Sequence, residues 1–318
     1  NDAMISPLYA GIKEHLKTLK YSPITVDLIL VEAFMQIHYE KEPVSEAFKA
    51  LFNHENYLST VQKQRLYLNQ GYIAFHNGEY KEAEGAFERV LKCHRKSRAH
   101  AVALTMLAHL RLRDFDALSA MHAAKEASQL HAQYSNLFRK VEVDFTLSES
   151  HITLYQLSYD ESIIQNLSYV LVESNRRYWP ELQAFKAYVA YRKKEYPLCI
   201  QILSTLEEKN VLQTVLLAQS YVHTQDMAKA MDAYQTLKTH FTLAPHEQAL
   251  IRMMMTQFED TPLSDEDFNQ LLKNPKQFVH LHVVQTLIEV LSDYAYHHHD
   301  SEALYKLQKL SLKLMKFE

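Results

Sequence analysis

RLYLNQGYIAFHNGEYKEAEGAFERVLKC, residues 65–93, is the stretch that decides the fold. Two helical segments flank a break at Asn77-Gly78-Glu79. Gly71 on the first segment and Ala83 on the second are small where two paired helices cross, so the backbones can approach closely. Tyr80 and Phe87 fill the space beside that crossing. Gly78 suits the left-handed conformation that ends the first helix. The stretch reads as a helical hairpin.

The surrounding composition agrees. The 318 residues hold only four glycines, Gly11, Gly71, Gly78 and Gly85, and eight prolines. Open sheets and barrels need glycine at hairpins, bulges and tight turns, so an all-β or α/β fold is excluded. Ala, Leu, Lys, Gln and Glu, strong helix formers, fill the chain instead. A hydrophobic fraction of 47% with 11% aromatics is enough for a large core. The fold class is all-α. A net charge of −4 gives no basic face for nucleic acid. No apolar run nears the roughly 20 residues that cross a bilayer, and no signal peptide is seen, so a cytoplasmic protein with no membrane partner is expected. Cys93 and Cys199 lack metal spacing and are expected to be free thiols. Asn1-Asp2-Ala3 before Met4 reads as a cloning scar.

Laid over the rest of the chain, the 64–97 frame finds weaker copies near 28–61, 98–131, 180–212, 211–244 and 284–317. Ala47, Cys199, Ala230 and Ala303 take the place of Ala83, with Tyr234 and Leu307 in the place of Phe87. Near Ala117 the frame fits with a one-residue slip. The longer intervals leave room for further pairs near Tyr159–Val170 and Asp265–Leu272. Pro180, Pro245, Pro262 and Pro275 fall where helices start or stop. No linker divides the chain, so residues 4–318 read as a single domain.

This unit resembles the tetratricopeptide (TPR) repeat, almost position for position over 65–93. The resemblance implies an α-solenoid, a right-handed superhelix of about eight TPR-like helix pairs at a spacing near 34 residues, whose neighbours stabilise one another.

Catalytic and metal motifs are missing. His297-His298-His299 point about 100° apart on a helix and cannot converge on one ion. His280 and His282 face apart, and the HEQAL segment at 246–250 lacks the second histidine of a zincin. There is no GxSxG and no phosphate loop, and GxGxxG is impossible with these glycines. No enzyme activity, no cofactor and no metal site are expected.

A TPR superhelix binds peptides or protein segments in a concave groove lined by first helices. The groove-facing positions of the family fall here on Gln36, Tyr39, Arg65, Tyr72, Phe75, His76, Met106, His109, Tyr188, Tyr191, Arg192, Gln219, His223, Gln285 and Tyr296. An extended peptide needs hydrogen bonds for its amides and apolar pockets for its side chains, and this mixture offers both. These side chains are expected to be wet in the free protein.

In size, repeat count and the terminal pair from Leu291 to Phe317, the chain resembles the peptide-sensing half of the Gram-positive RRNPP receptors. That implies a signalling-peptide sensor of a transcriptional regulator. Residues 4–60 carry no helix-turn-helix signature and no separate three-helix output domain, so either the output domain lies outside this sequence or the protein works without one, and nucleic acid would not be bound by this segment itself. Those receptors often use a series of first-helix asparagines, of which Asn69 is the one on a confidently framed helix. The alternative is a scaffold or adaptor assembling protein complexes. Its carboxylate-clamp subtype is removed, because Leu68 and Tyr72 stand where that subtype needs Lys and Asn. Assembly into a homodimer stays open.

Overall fold

The computed structural model describes residues 11, 14, 23–40, 43–93, 96–114, 116–154, 161–168, 178–259, 264–273 and 281–315. The proposed scar at 1–3, Pro262, Pro275, His280 and part of the pair expected near 159–170 lie outside them, whereas 265–272 is described and helical.

Among the described residues every regular element is helical. Helix α1 is Pro23–Met35 and runs into a π turn, Gln36–Glu40. Then come α2 Glu46–Leu51, α3 Thr60–His76, α4 Tyr80–Lys92, α5 Arg98–Arg113, α6 Ala117–Gln133 and α7 Leu137–Thr153. After α8, residues 161–168, the order is α9 Trp179–Arg192, α10 Tyr196–Ser204, α11 Val211–His223 and α12 Met227–His240. The chain ends with α13 Pro245–Glu259, α14 Asp265–Lys273, α15 Leu281–His297 and α16 Ser301–Met315. Consecutive helices pack as pairs: α3 with α4, α9 with α10, α11 with α12, α13 with α14 and α15 with α16. The contacts divide the chain into two compact units, one of Asn1–Arg111 with Ser119–Val143 and one of Leu112–Leu118 with Asp144–Glu318.

The pairs share one turn. Gly78 has φ of 80°, and its N–H and that of Glu79 reach back to the carbonyls of Phe75 and Ala74 at 3.1 and 2.8 Å. These two reverse bonds satisfy carbonyls that the end of α3 leaves orphaned. Lys194, Gln225 and His299, each two residues before a second helix, repeat the device with φ of 63°, 62° and 56°. Their bonds match: Lys194 to Tyr191, Gln225 to Val222 and His299 to Tyr296, with the next N–H going one carbonyl further back. Ser135 makes the same turn before α7.

Starts are specified as locally as stops. Ser59 Oγ accepts the Gln62 N–H at 3.3 Å while Gln62 Oε1 accepts the Ser59 N–H at 3.0 Å. Asn210 and Gln213 form the same reciprocal box ahead of α11. Each box satisfies two orphan donors. Pro180 and Pro245 stand at helix starts, as the sequence suggests.

Packing follows the repeat frame with one correction. Ala83, Phe87, Cys199, Ala230, Tyr234 and Leu307 are fully buried, and Ala303 nearly so. Ala47, however, is exposed and its neighbour Phe48 is buried in its stead. Helix α2 has only 6 residues between the π turn and a 3-10 turn. Its inward face is set by the cluster of Phe48 with Leu30, Leu51 and Leu66, not by the repeat register. Both cysteines are free thiols, and burial pushes Cys199 up to about 11 against the opposing effect of the hydrogen bond that Ser220 donates to it.

Candidate functional site

The first helices carry the proposed binding residues, and each unit gathers its own set. In the first unit the π turn delivers Gln36, His38 and Tyr39 beside α3. Gln36 is buried, its Oε1 accepting the Ser45 N–H at 3.2 Å. The His38 ring stands edge-on to Tyr72 at 4.4 Å and lies 6.0 Å from His76. Tyr72 in turn meets Phe87 edge-on at 5.8 Å. Burial, reinforced by His76 and by Arg139 on α7, holds His38 down at about 4, so its ring is neutral near pH 7. Its Nε2 is buried without a hydrogen-bond partner. A cavity of about 680 Å³ opens here, between Ile37, His38, Val44, Ile73 and His76.

Other expected positions in this unit are spread out. Arg65 is exposed and pairs with Asp27 at 3.1 Å, tying α3 to α1. Tyr39, His76 and His109 are exposed, while Phe75 is half-buried against Tyr80 and Met106 is buried. Asn69, the asparagine that resemblance singled out, is buried and donates to the Leu30 carbonyl at 2.8 Å. Its amide is committed to holding α1 on α3.

In the second unit the same kind of position forms a connected network. Tyr188 Oη lies 2.6 Å from Thr286 Oγ1 on α15. Arg192 donates to the same oxygen at 3.2 Å and to Glu289 at 2.7 Å. Two first helices 94–98 residues apart are thus tied face to face. Tyr191 Oη lies 3.2 Å from His223 Nε2, and His223 stacks on Tyr196 with ring centres 4.2 Å apart. Burial pushes the Tyr191 phenol up and the His223 imidazole down, so both are neutral near pH 7. Gln219 is fully buried, donating to Tyr234 Oη at 2.7 Å, while its Oε1 has no hydrogen-bond partner. Gln285 is buried and Tyr296 exposed.

Accessibility is where sequence and structure part. Gln36, Tyr72, Tyr188, Tyr191 and Gln219 are buried, not wet. Tyr188 and Tyr191 spend their hydroxyls on the first helices α15 and α11, Gln219 its amide on its partner α12, Gln36 its oxygen on the Ser45 N–H, and Tyr72 its ring on His38 and Phe87. Sequence reading passed over His38, Arg139, Tyr196, Thr286 and Glu289. Tyr196 stands at the repeat's tyrosine position and reads there as packing; the others fall in no motif, and Thr286 and Glu289 matter only through a contact made across a long stretch of chain.

Among the described residues no group of three or more His, Cys, Asp or Glu stands where it could hold one ion, and no helix is long and apolar enough to cross a membrane.

No family model and no curated protein matches the chain. Solved structures do. A Rap protein complexed with Competence and Sporulation Factor aligns over 99% of this chain and 92% of its own, with 15% identity and a TM-score of 0.69. The apo form of RapI aligns over the same shares with 13% identity and a TM-score of 0.71. The Rap conjugation gene regulator of plasmid pLS20, in complex with the Phr* peptide, aligns over 97% and 90%, with 11% identity and a TM-score of 0.63. The chain has the all-α, TPR-like fold of these Rap structures.

Proposed function

We propose that this chain senses short signalling peptides, binding them on a face formed by its first helices. The observation that carries the reading is the fold likeness, at 99% and 97% of this chain, to one structure solved with Competence and Sporulation Factor and one solved with the Phr* peptide. The chemistry of the first-helix positions supports it. Neutral, exposed His223, the half-buried guanidinium of Arg192 and exposed His76 offer donors and acceptors for a peptide backbone. The protein works by binding, not catalysis, and reports to a transcriptional output domain outside this sequence. Because Tyr188 and Arg192 are engaged with α15, peptide entry exchanges those contacts for ligand contacts.

The test begins with selection from a displayed library of peptides five to ten residues long, which span roughly 17–36 Å extended. The selected peptide is then titrated calorimetrically into the wild type and into Arg192→Gln, His223→Ala and His76→Ala. At least one variant is expected to bind about tenfold more weakly or worse, a loss of about 1.4 kcal/mol. Wild-type affinity in all three would overturn the first-helix site. A selection that returned no peptide and captured only folded proteins would favour a scaffold.

A further inference from the structure

A second groove lies on the other side of α9. Between α8, α9 and α10 a cavity of about 500 Å³ is walled by Ile164, Val189, Leu198 and Ile202, with Gln165 on its rim and Lys186 reaching into it. Lys186 is two residues from Tyr188, so on a helix it points roughly 200° away from that side chain. The groove is therefore distinct from the first-helix face. Its volume falls within the range of ligand sites, roughly 300–1,000 Å³.

Two lysines and two glutamates, Glu161 and Glu195, line the groove. Lys193 is ion-paired with Glu161. Lys186 has no carboxylate partner among the described residues; its ammonium lies 5.6 Å from the centre of the Trp179 ring. Burial alone accounts for the lowering of its pKa. A half-buried cation beside apolar walls calls for an anion that brings apolar surface with it. Leu198, 43% exposed, is apolar surface waiting for such a cover.

We propose that this groove binds the carboxyl-terminal end of a peptide chain whose last residues are apolar, with Lys186 receiving the carboxylate. At a chain end the carboxylate and an apolar side chain are carried by one carbon, which suits a cation set directly among Ile, Val and Leu side chains. Gln165 on the rim then meets the peptide's preceding amide, a group that a fatty acid lacks. The amine and the carboxylate form a charge-assisted hydrogen bond, which a terminal carboxamide cannot reproduce.

Trp179 is the chain's single tryptophan and reports on the site directly. The probes are acetyl-Ala-Leu-Leu as the free acid, the same tripeptide as the amide, and decanoate, each followed by Trp179 emission and by calorimetry. The acid is expected to saturate, and the amide to bind about tenfold more weakly or worse. Lys186→Gln should abolish the preference for acid over amide, and Leu198→Asp, at an exposed position, should weaken both. Equal binding of acid and amide by the wild type, absence of saturation, or saturation by decanoate but not by the tripeptide would each overturn the proposal. The probes address the opposite side of α9 from Arg192, so this outcome and that of the first-helix titration are separate.

Discussion

Gly71 and Gly85 lie 14 residues apart in one helical hairpin and are expected to respond oppositely to the same substitution. A Cβ at Gly71 would lie 2.4 Å from Phe87 Cε1, and Phe87 is fully buried. A Cβ at Gly85 on exposed α4 meets nothing within 4 Å. Gly71→Ala should therefore destabilise by about 1–3 kcal/mol through overpacking, whereas Gly85→Ala should stabilise by about 0.5–1 kcal/mol through helix propensity. Urea denaturation of both variants checks this; a stabilised Gly71→Ala would contradict the crossing. The left-handed turn residues are the second residue-scale case. Lys194, Gln225 and His299 carry side chains in a conformation that costs roughly 1–2 kcal/mol. Glycine at each should stabilise by about 0.5–1 kcal/mol, the gain being offset by the more flexible unfolded chain. A melting series showing destabilisation at all three would contradict the shared turn. Only Gly78 of this set is readable from sequence, because a lysine, glutamine or histidine does not announce a positive φ.

Acid sensitivity also belongs to single residues. His38 is held down at about 4 from an ordinary 6.5, chiefly by burial and then by His76 and Arg139. The unfolded chain takes up that proton more readily, so stability is complete above about pH 6.5 and is lost as pH falls toward 4. His100 and His223 are shifted in the same direction, with burial the first cause of each. His38→Phe keeps the ring between Phe34 and Tyr72 and should flatten the pH dependence of stability over that window. An unchanged slope would mean that the histidine is hydrated.

At the scale of elements, the decisive feature is the tie between α9 and α15. Arg192, Tyr188, Thr286 and Glu289 form one hydrogen-bonded set, so their effects should not add. A double-mutant cycle on Arg192→Gln and Glu289→Gln should give a coupling of about 0.5–1 kcal/mol in the free protein. Additive losses would show that the helices part readily without ligand. Nothing local in the sequence signals this tie, since it depends on how successive pairs turn relative to one another. The helices themselves were legible where small residues and apolar partners recur, as at Ala230 with Tyr234 and Ala303 with Leu307. They were misread at Ala47, where the short α2 takes its inward face from Phe48.

For the whole molecule, the fold likeness persists at 11–15% identity. That is intelligible physically, because the repeat asks for a small or slender residue at a crossing and a reverse turn at each helix end. Neither requires a particular side chain. A binding surface makes the opposite demand, and so the peptide's identity is not written in the repeat. The measurement that tests peptide sensing most directly is backbone hydrogen exchange with and without a saturating selected peptide of five to ten residues. Added protection is expected on the first helices of a unit, α3 and α5 in the first or α9 and α11 in the second, with the second helices α4, α6, α10 and α12 little changed. Protection confined to the second helices, or none under saturating peptide, would contradict binding on the first-helix face.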